Sequence, residues 1–127
     1  MEIKNIDHLV LTVADIDKTV EFYTQILGLE VVIFGDNRKA LTFGNQKINL
    51  HQKGNEFEPK AEHPTSGSAD LCFIAKTDIA DVLEELKHKN IEIIEGIVER
   101  TGALGKIQSV YFRDPDLNLI EVSNYYK

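Results

Sequence analysis

The chain states one pattern twice, and that duplication constrains its fold more than any other feature. Asp15-Ile16, a helical stretch and Glu30-Val31-Val32-Ile33 return as Asp78-Ile79, a helical stretch and Glu92-Ile93-Ile94. Each copy is preceded by an apolar run headed by a polar residue: His8 before Leu9-Val10-Leu11, and Asp70 before Leu71-Cys72-Phe73-Ile74. Each closes on a second apolar stretch, Lys47-Ile48-Asn49-Leu50-His51 in one and Leu117-Asn118-Leu119-Ile120-Glu121 in the other. A duplication of this kind puts His8, His51, Asp70 and Glu121 at related positions, and all four are metal-capable side chains.

The spacing predicts a strand over 6–13, β-branched and apolar. Asp15 or Asp17 caps the helix that follows, because a short carboxylate accepts the free amide hydrogens of a first turn. Ile16, Val20, Tyr23 and Leu27 form its apolar face, and Gly28 ends it. Strands over 29–34, 39–43 and 47–52 complete the first copy, the last two joined by a hairpin at Gly44-Asn45. In the second copy a strand over 70–75 precedes a helix capped by Thr77 or Asp78. That helix has the face Ile79, Val82, Leu83 and Leu86, and it ends at Asn90. A strand over 91–98, or one kinked at Gly96, then strands over 107–112 and 117–123 follow, with turns at 102–105 and at Asp114-Pro115-Asp116.

The fold class is therefore α+β: two βαβββ modules, about 4–53 and about 68–125, joined by a linker over about 54–67 that is rich in Pro, Gly and Ser. Two modules this short cannot each close an independent core. They are expected to pair in one domain over 1–127, as a curved mixed sheet around a shared cleft.

Bulk composition narrows the function. At 127 residues the chain has the size of one ordinary domain. Its net charge of -7 argues against nucleic acid, whose phosphates need a basic face. No apolar stretch approaches the ~20 residues of a membrane span. The single cysteine, Cys72, rules out an intrachain disulfide, and the N-terminus has no signal-peptide core. A cytoplasmic, soluble protein acting on a small molecule is expected.

Strand side chains alternate faces. His8 shares a face with Val10 and Thr12, His51 with Asn49, Asp70 with Cys72 and Ile74, and Glu121 with Leu119 and Ser123. Two imidazoles and two carboxylates suit Zn²⁺, Ni²⁺, Co²⁺, Fe²⁺ or Mn²⁺, with positions left for water or substrate. Each residue also has a plainer reading. His8 is a hydrogen-bonded strand histidine, His51 a strand-end residue facing solvent, and Asp70 a turn cap. Glu121 lies in an apolar strand, where an unpaired carboxylate is costly, so it requires a donor, a cation or a metal. His63 and His88 read as solvent-facing and Cys72 as a small buried hydrophobe. The 101–106 loop lacks Walker spacing.

Three segments carry a family resemblance: Ile6-Asp7-His8-Leu9-Val10-Leu11-Thr12-Val13, Phe22-Tyr23-Thr24-Gln25-Ile26-Leu27-Gly28-Leu29, and Phe112-Arg113-Asp114-Pro115-Asp116-Leu117-Asn118-Leu119-Ile120-Glu121. Through them the chain resembles the glyoxalase, bleomycin-resistance and extradiol-dioxygenase group, the vicinal oxygen chelate superfamily. The resemblance implies paired βαβββ modules, a divalent metal and a homodimer. It implies that His8 and Glu121 are metal ligands. At the third ligand position this chain has Asp70 in place of the family's histidine. The family's fourth-strand ligand falls on Asn49 or His51, and the repeat alignment favours His51. Thr12 stands where glutathione-dependent members have arginine.

The implied activity is a glyoxalase I-like lyase reaction, the isomerisation of a 2-oxoaldehyde–thiol adduct, with Glu121 as base and Asp70 as second candidate. The alternatives are a small metal-dependent dioxygenase, a fosfomycin-type thiol transferase, and a metal-free drug-binding resistance protein.

Overall fold

The computed structural model describes all residues, 1–127. The order is β1 (His8–Val13), α1 (Ile16–Gln25), β2 (Glu30–Phe34), β3 (Arg38–Phe43) and β4 (Gln46–Gln52). It then repeats as β5 (Asp70–Ile74), α2 (Ile79–His88), β6 (Glu95–Gly102), β7 (Gly105–Arg113) and β8 (Leu119–Tyr125). This is βαβββ twice, as two compact units spanning Met1–Gly67 and Ser68–Lys127. Each unit builds its own four-stranded mixed sheet, in the order β1-β4-β3-β2 and β5-β8-β7-β6.

In both units the first strand pairs parallel with the last, and the other neighbours are antiparallel. A parallel neighbour requires a crossover, which the helix supplies. The helix then covers one face of its sheet. In the first unit Leu11, Val13, Leu41, Ile48 and Leu50 are buried with Tyr23 of α1. In the second, Val110, Phe112, Ile120 and Val122 are buried with Ile79, Val82 and Leu86 of α2. Removing each such side chain from water contributes about 1.5–3 kcal/mol.

Both helices stop where the sequence indicates. Gly28 and Asn90 have φ of 69° and 60°, the left-handed conformation that closes a helix C-terminus. The starts differ. The Asp15 carboxylate accepts from the Asp17 and Lys18 amides, whereas Asp78 makes no side-chain cap bond. A second device serves both helices. Gln52 Oε1 accepts from the Ile16 amide at 3.2 Å, and Gln52 Nε2 donates to the Ala14 carbonyl at 2.6 Å. Asn124 Oδ1 accepts from the Ile79 amide at 2.6 Å, and its Nδ2 donates to the Ala75 and Thr77 carbonyls, both at 3.0 Å. One carboxamide at the end of each last strand thus ties down the helix that crosses over it.

Several expectations shift, the last strand running Leu119–Tyr125 in place of 117–123 and the first beginning at His8 in place of Ile6. The strand expected over 91–98 begins only at Glu95 and runs to Gly102, with a bulge between Glu95 and Val98. Thr19, not Val20, is the fully buried residue beside Tyr23 on α1.

Losing a carboxamide leaves an orphan helix amide and orphan carbonyls. Asn124→Ala and Gln52→Ala are each expected to lower unfolding stability by about 1–2 kcal/mol, read from urea denaturation. Unchanged midpoints would remove the clamp from the account of the fold.

Candidate functional site

The face of each sheet away from its helix carries the polar residues. In the second unit the register places Glu121 opposite Cys72 on β5 and Tyr111 on β7, with Ser123 opposite Ser109. The Ser109 hydroxyl donates to Glu121 Oε2 at 2.5 Å, and Ser123 Oγ lies 3.3 Å from the same oxygen. The two hydroxyls are 2.7 Å apart and fully buried, and Cys72 Sγ lies 3.3 Å from Ser123 Oγ. A buried carboxylate edge is thus supplied with donors, as its desolvation demands.

Around it lies a depression of about 450 Å³ whose lining includes Glu121, Cys72, Tyr111, Arg100, Ile74 and Tyr125. Arg100 Nε donates to the Tyr111 phenol at 3.1 Å, and Arg100 Nη2 reaches Glu95 at 3.1 Å. Burial, with the Glu121 carboxylate adding to it, pushes the Tyr111 phenol up from its usual range. It therefore stays protonated as a neutral donor at working pH. Partial desolvation of its sulfur also raises the Cys72 thiol, so it is not an activated nucleophile. Cys72 is exposed, in place of the buried role expected from sequence.

Asp70 is the exposed first residue of β5. Its place is fixed by a buried turn. Asp114 accepts from the Asp116 and Asn118 amides, both at 2.9 Å, and from Asn118 Nδ2 at 2.8 Å. Asn118 Oδ1 in turn accepts from the Ala69 amide at 2.9 Å.

In the first unit His8 begins β1, half exposed, with Nδ1 2.8 Å from the Asp7 carboxylate. That contact turns Nδ1 toward the carboxylate and Nε2 away from it. His51 is only 3% exposed, not the solvent-facing strand end considered from sequence. Its Nε2 lies 3.5 Å from Arg38 Nη2, and Phe57 packs edge-on at 5.6 Å. Burial, then the Arg38 charge, pushes the imidazole below its ordinary value.

The registers correct the repeat correspondence. His8 lies opposite Lys47 and Asp70 opposite Leu119, so Asp70 does stand where His8 stands. Two residues further along, Asn49 lies opposite Val10 and Glu121 opposite Cys72. The counterpart of Glu121 is therefore Asn49, and His51 corresponds to Ser123. Residue type had suggested the other match, because both His51 and Glu121 can bind metal. Strand pairing decides it. Within neither unit do three His, Cys, Asp or Glu side chains converge as a metal cluster. Sequence reasoning missed Ser109, Ser123, Tyr111, Arg100 and Arg38, whose parts depend on cross-strand neighbours.

A family model for the Glyoxalase/Bleomycin resistance protein/Dioxygenase superfamily matches residues 5–122, and the chain belongs to that superfamily. Each unit has the βαβββ architecture of its vicinal oxygen chelate fold. The chain is 62% identical to virulence protein STM3117 of Salmonella typhimurium over 98% of its own length and 87% of that protein's. The crystal structure of that relative superposes with a TM-score of 0.98, covering 99% of this chain and 100% of that one. Glyoxalase domain-containing protein RDO1 of Mycosarcoma maydis is 58% identical over 98% of this chain and 70% of its own. Metallothiol transferase FosB of Staphylococcus epidermidis is 30% identical over 96% and 82%. No helix is long and apolar enough to cross a membrane.

The lowered His51 value gives a pH test. A proton binds the unfolded chain, where histidine titrates near about 6.5, more readily than the folded one. Folding is therefore weakened as pH falls below that value, down through the lowered folded-state value. Metal-free protein should lose more Tm between pH 7 and pH 5 than His51→Gln does. Equal losses would mean that His51 is not held neutral.

Proposed function

We propose that the chain is a metal-dependent enzyme of the glyoxalase I type, which isomerises a 2-oxoaldehyde–thiol adduct to a 2-hydroxyacyl thioester. The observation that carries this reading is Glu121. Its carboxylate lies in the lining of a depression, held at Oε2 by the buried Ser109. A neutral phenol and a guanidinium share that lining. Superfamily membership and the kinship with a metallothiol transferase support metal dependence.

The donor types suit a divalent ion. His8 presents its Nε2 and is oriented by Asp7, the carboxylate–imidazole pairing usual for ligating histidines. Glu121 and Asp70 add hard oxygen donors. His51 is the weakest of the four candidates, because the Arg38 guanidinium at its Nε2 repels a second cation. The proposed ligands are therefore His8, Asp70 and Glu121, for Zn²⁺, Ni²⁺, Co²⁺, Fe²⁺ or Mn²⁺. A bound ion would supply Lewis-acid polarisation of two neighbouring substrate oxygens.

The chain's own groups do the rest. The Glu121 carboxylate, released from its ligand role, removes the proton from the hemithioacetal carbon as the C–H pair moves toward the neighbouring carbonyl. The adduct's hydroxyl proton passes to that carbonyl oxygen, and Glu121 returns its proton at the second carbon. Ser109 and Ser123 orient the carboxylate throughout. Asp70 is the second candidate for the base. The Tyr111 phenol and Arg100 face the developing oxyanion as donors. Exposed apolar side chains at Val31, Val32 and Ile33 on β2, and at Ile74, Ile94 and Ile97 in the second unit, support a homodimer as the working form.

The test begins with elemental analysis and thioester formation from methylglyoxal with several thiols, followed by ultraviolet absorbance. Wild type should bind metal, turn over and sediment at twice the chain mass. His8→Ala and Glu121→Ala should lose metal and at least a hundredfold in kcat/KM. Metal bound equally by both variants would defeat the ligand assignment, and a monomer at working concentration would defeat the dimer. The kinship with FosB favours a thiol transferase as second reading. It would replace the first if thiols add to an epoxide substrate while no thioester forms.

A further inference from the structure

The register position that holds Glu121 in the second unit holds Asn49 in the first, and the charges around it are reversed. Asn49 lies between Lys47 and His51 on β4, and Arg38 lies on the same sheet face on β3. The Arg38 guanidinium carbon is 5.1 Å from the centre of the Phe34 ring and 4.3 Å from that of Phe57. Lys47 Nζ is 4.2 Å from the centre of the same Phe34 ring. Two cationic heads thus share one aromatic ring, in a chain whose net charge is -7.

Neither head has a carboxylate at ion-pair distance, and the side-chain neighbour of the Arg38 fork is the His51 ring, 3.5 Å from Nη2. The acid that His51 feels, Glu56, is occupied by the Gly54 amide at 2.7 Å and by Lys60 at 3.8 Å. Two buried polar atoms of this face lack partners, Arg38 Nε and Asn49 Oδ1. A buried N–H without an acceptor is costly, and acids were available in this sequence to satisfy it. Turning the Asn49 amide over would present its NH₂ group instead, a third donor on the same face. A guanidinium packed over phenyl rings is a pre-organised fork for a planar or tetrahedral oxyanion.

We infer that this face of the first unit binds a small oxyanion, the carboxylate, phosphonate or phosphate of a small organic acid, between Arg38 and Lys47 over Phe34. The anion takes the place that the Glu121 carboxylate fills in the second unit. The site needs no metal, and its success or failure is independent of the enzymatic reading above.

The experiment is an amide NMR titration of metal-free protein at low salt with lactate, methylphosphonate and inorganic phosphate in separate arms. Saturable shifts confined to β3, β4 and Phe57 are expected with at least one anion, and the arm that binds tightest names the group. Arg38→Met and Lys47→Met should each weaken that anion tenfold or more, while Lys87→Met on α2 leaves it unchanged. Asn49→Asp supplies an internal carboxylate, so it should abolish binding and raise Tm. Should Arg38→Met fail to fold, Lys47→Met and Asn49→Asp carry the test. Shifts scattered over the surface would overturn the inference. So would equal affinity in Lys47→Met and wild type, or an Asn49→Asp variant that loses Tm and still binds.

Discussion

Pairing the first strand of each unit parallel to its last is the constraint from which the remaining geometry follows. A parallel neighbour cannot be reached by a tight turn, so each unit needs a helical crossover, and the helix takes one face of the sheet. The other face is left for chemistry. The same pairing fixes which side chains become neighbours: Cys72 beside Glu121 in one unit, Val10 beside Asn49 in the other. A slip of one residue would turn Glu121 onto the helix-covered face, against Val110, Phe112 and the buried side chains of α2, where an unpaired carboxylate is untenable. The amide clamps of Gln52 and Asn124 guard against this, because each couples the end of the last strand to the start of the helix.

On this common frame the two faces have taken opposite electrostatic characters. The second unit carries an acid whose oxygen is supplied by two buried hydroxyls, with a neutral phenol beside it. The first carries an amide at the same place, flanked by cations that lack acids. The proposed reaction uses the acid as its base, and the proposed anion site uses the cations. Superfamily membership alone would not assign either role, since this fold serves many reactions. The assignment rests on what each side chain touches.

Much of the fold was legible in the sequence because the signals were local. Gly28 and Asn90 mark helix ends by backbone conformation, Asp15 caps through its own carboxylate, and the apolar periodicity of α2 names its buried face. The candidate site was legible at Glu121, where an acid in an apolar strand demands an explanation. It was not legible where neighbours come from other strands. Matching His51 to Glu121 followed residue type, whereas the ladder matches Asn49. Ser109 and Ser123 are unremarkable in sequence, and only pairing brings both to one carboxylate oxygen. The burial of His51 and the exposure of Cys72 likewise depend on what the surrounding chain covers.

The most direct measurement is anomalous diffraction from crystals grown with Ni²⁺ or Co²⁺, recorded at the metal edge. A peak bonded to Glu121 and to His8 Nε2, with His51 still paired to Arg38, is the expected result. A fully occupied metal bound elsewhere, with Glu121 and His8 both uncoordinated, would contradict the central claim.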